Sequence, residues 1–300
     1  MYKVFGTAAA LTAFLAMPAL ADSVTVEHRL GKTTVEGKPD RVVVIGLGAL
    51  DAVDSLGVEP VSVAKFSLFP DYLAKYKTDE YMTAGSFFEP DFEAIYAKKP
   101  DLIVIGPRAT GQYEELSKIA PTVVFAAEFS SYWQSTQEQW RNLGKIFHAE
   151  DKVEQKIEQL DQEFKAIKAQ NQKNGTNALT VLTSGGKVST FGAESRFSSI
   201  YKDFGYAEAV KNLKTSTHGD QISYEFIQEA NPQTMLVIDR DQLKGKSTAR
   251  KTLDNDLVKA TEAYKNNKLT YLDTTAWYLS ISGVRATEQM VSDIKQSAGL

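Results

Sequence analysis

Arg41 to Gly46 reads Arg-Val-Val-Val-Ile-Gly, a β-branched run with no polar alternation. Such a run suits a parallel strand covered on both faces. A helix is expected next, across Ala49 to Leu56. Apolar runs and helical spacings then alternate: a strand at Val61 to Ala64, a helix at Asp91 to Lys98, a strand at Asp101 to Ile105, a helix at Tyr113 to Ile119, and a strand at Thr122 to Phe125. A polar β segment, Val24 to Val35, precedes them. From Glu150 to Lys173 the period changes, because Val153, Ile157, Leu160, Phe164 and Ile167 recur every three or four residues among charged positions. That pattern predicts one long helix with a single packed face, ended by Asn174-Gly175. A second set of strands follows at Ala178 to Thr183, Val188 to Phe191, Thr234 to Asp239 and Lys268 to Asp273.

The alternation is a βαβ rhythm and places the chain in the α/β class. The expected architecture is two Rossmann-like lobes with mostly parallel sheets, residues 22–149 and 174–300, bridged by one long α-helix over 150–173. A coiled-coil arm is the competing reading of that helix, but it holds fewer than four heptads. An internal repeat supports duplicated lobes. A shift of 132 residues lays Pro-Asp-Phe-Glu93-Ala-Ile-(x4)-Pro100 on Ile-Ser-Tyr-Glu225-Phe-Ile-(x4)-Pro232, each followed by an apolar strand and then Arg108 or Arg240.

Composition narrows the chemistry. The 300 residues carry 34 Lys and Arg against 38 Asp and Glu, so no global nucleic-acid footprint is expected. Cysteine is absent, which removes disulfides, thiolate metal sites and cysteine nucleophiles. With three histidines, His28, His148 and His218, a three-histidine zinc site would need all of them to converge. At the start, Lys3 precedes the apolar run Val4 to Leu15, and Ala19-Leu20-Ala21 offers a small-x-small cleavage pattern. Residues 1–21 are therefore expected to be a secretory signal, with a periplasmic mature chain starting at Asp22. The apolar stretch is too short for a membrane span, and no cysteine follows it for lipid attachment.

In paired α/β lobes the loops past the strand ends share a cleft, the usual ligand position. Arg108 and Arg240 each follow such a strand, and Arg196 lies in the Gly-Ala-Glu-Ser-Arg turn after Val188 to Phe191. Guanidinium groups fork their donors toward oxygen anions, so three at one cleft suit a multiply charged ligand. Taken singly, each would be an ordinary surface ion pair. His218, in Lys-Thr-Ser-Thr-His-Gly-Asp, and Tyr278, in Thr-Thr-Ala-Trp-Tyr-Leu, are also loop residues. They offer an imidazole nitrogen and a phenol oxygen, which a trivalent metal binds as phenolate. Trp277, Phe191 and Phe197 are candidates for flanking an aromatic ligand, with core packing as their ordinary role.

In this order the motifs resemble the periplasmic siderophore-binding proteins of ABC importers, in the ferric catecholate (enterobactin-type) branch. The resemblance spans essentially the whole mature chain. It rests on Arg-Val-Val-Val-Ile-Gly, Pro-Asp-Phe-Glu-Ala-Ile-(x4)-Pro-Asp-Leu-Ile-Val, Ile-Ala-Pro-Thr, Ser-Arg-Phe, Thr-His-Gly, Val-Ile-Asp-Arg, Leu-Asp-Asn and Tyr-Leu-Asp-(x3)-Trp-Tyr-Leu. It implies a monomeric binding protein without catalytic residues or intrinsic cofactor, whose Fe(III) arrives inside a siderophore. It also implies that Arg108, Arg196 and Arg240 line the cleft and that His218 and Tyr278 complete iron coordination. Glu93 and Glu225 would dock onto an inner-membrane ABC permease; their ordinary role would be to stabilise helix N-termini. Three deprotonated catechols around Fe(III) leave three negative charges, which three arginines balance. Two catechols leave one negative charge and two open coordination positions, which His218 and Tyr278 would fill.

Other classes fare worse. Gly46-Leu-Gly48-Ala-Leu-Asp51 follows a strand like a dinucleotide fingerprint, yet Asp51 replaces the third glycine and would repel a pyrophosphate. No Gly-x-Ser-x-Gly elbow of a hydrolase is present. Haem, cobalamin and hydroxamate chelates are rivals on the same scaffold, but neutral cargo would leave three inward arginines uncompensated.

Overall fold

The computed structural model describes residues 23–66, 68–213 and 219–300, so the expected signal, residues 1–21, and His218 lie outside the described residues. Four strands build the first sheet: β3 (Val42–Ile45), β4 (Ser62–Val63), β5 (Leu102–Ile105) and β6 (Thr122–Val124). Their order is β4-β3-β5-β6, and every pairing is parallel. All the residues of β3 and β5 are buried, as an unbroken apolar run requires. The polar segment ahead of them is an antiparallel hairpin of β1 (Ser23–His28) and β2 (Gly31–Glu36). It is fastened to the sheet by Thr33, whose Oγ1 donates to the Thr122 carbonyl at 2.6 Å.

The second sheet contains β7 (Asn177–Ser184), β8 (Lys187–Phe191), β9 (Ala207–Glu208), β10 (Asp220–Ile222), β11 (Thr234–Asp239) and β12 (Leu269–Tyr271). One edge of β7 takes β9 in parallel at its start and β8 in antiparallel further along, while its other edge pairs with β11. The path β9-β7-β11-β12 is wholly parallel and repeats the order β4-β3-β5-β6 of the first lobe. The repeat seen in the sequence is thus a repeated sheet topology, with β5 and β11 equivalent. Antiparallel β8 and β10 are an addition peculiar to the second lobe.

The long helix runs Glu150–Asn174 and ends at Gly175 in the left-handed conformation, φ 61°. Its Phe164 ring is stacked between Trp133 of the first lobe, at 4.6 Å, and Phe204 of the second, at 4.5 Å. Two helices that the hydrophobic pattern did not single out add a further connection. Tyr132–Phe147 packs along the bridge, and Val284–Ala298 packs on both the bridge and the helix Leu47–Ser55 of the first lobe.

Asp51, the residue that spoils the dinucleotide fingerprint, explains itself here. It lies on Leu47–Ser55, fully buried, and accepts hydrogen bonds from the backbone N–H groups of Arg285 (3.2 Å) and Ala286 (2.9 Å). A carboxylate from one lobe thereby supplies the orphan amides at the start of the final helix. Gly48 permits the approach, because a Cβ there would stand 2.2 Å from the Ile281 carbonyl oxygen. Among the described residues, no helix is long and apolar enough to cross a membrane.

Candidate functional site

β12 runs out into a π-helical turn, Thr275–Leu279, a geometry that recurs at functional sites. The turn is fixed from beneath. Asp293 accepts from the Asp273 backbone N–H (2.8 Å) and the Trp277 indole N–H (2.9 Å), and Asp273 accepts from the Ala276 N–H (2.8 Å). These bonds seat Trp277 in the core and bring Tyr278 to the mouth of the cleft.

Three guanidinium groups converge on Tyr278. Arg108, in the turn Pro107–Gln112 past β5, lies 5.9 Å from the ring centroid; Arg240, the first residue past β11, lies at 5.8 Å. Arg196 sits over the ring at 4.0 Å. Its turn is closed by Ser195, whose hydroxyl donates to the Gly192 carbonyl at 2.6 Å. Arg108 and Arg196 each donate from Nη2 to the Tyr278 carbonyl at 3.3 Å. Among the described residues, none of the three has a carboxylate within ion-pair distance, and Arg196 Nε is buried without a partner. Burial pulls the Arg108 and Arg196 pKa values below the usual arginine range; Tyr278 opposes this, and neighbouring guanidinium groups add to it. Arginine remains protonated even so. Such an arrangement can accept an anion.

Arg196, Arg240 and Tyr278 border a cavity of about 230 Å³ together with Ser184, Lys187, Ser189 and Gln221. The last four were missed in the sequence. Ser184 and Lys187 flank the Gly185–Gly186 turn past the end of β7, so the strand-end rule applied to that strand would have reached them. Gln221 lies on β10, three residues beyond His218 in the chain. Phe191 lines the cavity, whereas Trp277 and Phe197 are core residues, each 1% exposed. Among the described residues, no cluster of three His, Asp or Glu side chains converges on a metal-sized site.

Glu93 and Glu225 stand exposed in the first turns of the equivalent helices Phe92–Ala97 and Tyr224–Ala230, one in each lobe. Ser223 caps the second helix, and hydrogen bonds from the Glu225 backbone N–H and the Ser223 hydroxyl hold the Glu225 carboxyl below the usual range.

Two facing α/β lobes carry a cationic pocket of a form suited to holding a solute. The profile of the periplasmic binding protein family matches residues 42–276, and the chain belongs to that family. The crystal structure of the periplasmic catecholate-siderophore binding protein VctP from Vibrio cholerae is 63% identical, with a TM-score of 0.89 over 92% of this chain and 100% of that one. The petrobactin-binding protein YclQ of Bacillus subtilis is 38% identical over 278 residues, 91% of this chain and 88% of its own. The ferric-anguibactin-binding protein FatB of Vibrio anguillarum is 33% identical over 282 residues, 92% and 87% of the two chains.

Proposed function

We propose that this protein captures ferric catecholate siderophores in the periplasm and delivers them to an inner-membrane ABC permease. One observation carries the reading. Three guanidinium groups from both lobes surround Tyr278, and no carboxylate among the described residues neutralises them. Packed like charges taken from water cost free energy, and an anionic occupant removes that cost. Catecholate oxygens accept the forked donors of arginine well, whereas a neutral hydroxamate chelate gives no compensation. The binding named for VctP agrees with this choice.

The same pocket serves two kinds of complex. A hexadentate tris-catecholate fills the iron shell and is held by the arginines without any bond from the protein to iron. A tetradentate bis-catecholate leaves two positions, which Tyr278 and His218 take. Tyr278 is well placed for this, with its ring among the arginines, and Gln221, just beyond His218 in the chain, borders the cavity. Binding and release change no covalent bond. Glu93 and Glu225, exposed at equivalent points of the two lobes, present a paired acidic surface to the permease.

Fluorescence quenching titrations with ferric bis-catecholate, tris-catecholate and hydroxamate complexes test the reading. Both catecholates are expected to bind at least tenfold more tightly than the hydroxamate; a preference for the hydroxamate overturns it. Replacing His218 and Tyr278 together with Ala and Phe should weaken the bis-catecholate far more than the tris-catecholate and alter its visible charge-transfer band. Equal losses would contradict iron coordination by this pair.

A further inference from the structure

We propose that the protein carries a second ligand site, a pocket at the junction of the lobes that takes a single-ring aromatic monocarboxylate. The pocket encloses about 210 Å³ where four helices meet: Leu47–Ser55, Tyr132–Phe147, Glu150–Asn174 and Val284–Ala298. It shares no lining residue with the arginine cleft, and it does not rest on the siderophore reading.

Size sets the first limit on the occupant. An apolar cavity of about 150 Å³ accepts benzene, while pockets for drug-sized ligands start at about 300 Å³. A volume between these fits one ring bearing one small polar group. Leu56, Trp140 and Val153 supply the apolar wall. The Trp140 indole N–H is already given to the Ser282 carbonyl at 2.7 Å, so this side chain offers its ring for packing and no free donor.

Charge sets the second limit. Four ionic side chains line the pocket: Lys152, Lys156, Arg285 and Glu288. Lys156 pairs with Glu288 at 2.7 Å, and Arg285 pairs with Asp54 at 2.9 Å. Asp54 is shared with Lys75, and among the described residues the exposed Lys152 has no carboxylate within ion-pair distance, so the rim of the pocket offers a free cation beside an aromatic wall. One ring and one negative charge satisfy both limits.

Benzoate is the probe, titrated into the full mature chain labelled with ¹⁵N. The Trp140 indole N–H resonance, assigned with Trp140→Phe, is expected to shift saturably. Benzyl alcohol, with the same ring and no charge, should bind at least tenfold more weakly. Lys152→Glu, on the exposed rim, should weaken benzoate at least tenfold and leave the ferric bis-catecholate titration unchanged. An unmoved Trp140 resonance, equal binding of the alcohol, or complete displacement of benzoate by a saturating ferric catecholate would overturn the proposal. The last result would put benzoate in the arginine cleft, and that outcome leaves the siderophore reading intact.

Discussion

Arg196 is the residue on which the site's energetics turn. It is the guanidinium nearest to Tyr278, at 4.0 Å from the ring, and its Nε is buried without a partner. On the proposed reading, an anionic occupant relieves that burden. Arg196→Met is therefore expected to weaken ferric tris-catecholate binding tenfold or more, in line with the roughly 1.5–3 kcal/mol of a hydrogen bond to a charged group. The unliganded melting temperature should hold or rise. A fall of several degrees in calorimetry would mean that the stacking on Tyr278 outweighs the repulsion among the guanidinium groups. The strand-end positions of Arg108 and Arg240 could be read from the repeat, because two copies of one motif place their arginines alike. That Arg108 and Arg196 both clasp the carbonyl of Tyr278 could not, since those contacts join residues 170 and 82 positions apart.

At the scale of elements, the lobes are tied together by two devices, an aromatic stack on the long helix and a carboxylate at the start of the last one. Phe164 lies between Trp133 and Phe204 and is 3% exposed. Phe164→Ala is expected to cost about 3–5 kcal/mol of stability in denaturant titrations, the usual range for a buried Phe truncation. Asp51 makes a pH prediction. Burial, against the N–H bonds of Ala286 and Arg285, pushes its carboxyl up to about 6 from 3.8. Between those two values the folded protein holds the proton and the unfolded chain does not, so this group's contribution to stability falls as pH rises from about 4 to about 6. The stability of wild type relative to Asp51→Asn should therefore fall as pH rises across that range. A slope unchanged by the substitution would show that Asp51 does not titrate there. The 3.6-residue period announced the long helix with Phe164 on its packed face. It was silent about Asp51, because an acidic residue inside an apolar stretch reads as a defect until its partner from the other lobe is in view.

For the whole molecule, the duplicated topology sets Glu93 and Glu225 on equivalent helices of separate lobes, both exposed. Neither touches the arginine cluster. Charge reversal of both to Lys is expected to leave siderophore affinity in solution unchanged while abolishing uptake in cells that depend on this protein. Normal uptake by the double variant would remove the docking role.

The hydrophobic pattern by itself determined the α/β class, the two sets of parallel strands and the helix between them, because burial on both faces of a sheet and on one face of a helix writes its period directly into the chain. It also marked the arginines, since each sits just past an apolar run. Convergence was decided only in three dimensions. The antiparallel pairing of β8 and β10, whose residues help wall the cavity, depends on contacts within the second sheet, while the gathering of three guanidinium groups on Tyr278 and the capping of the final helix by Asp51 depend on how two lobes are held at a fixed distance. Local sequence periods carry no information about that distance; the packing of Phe164 between the lobes and the room left by Gly48 do.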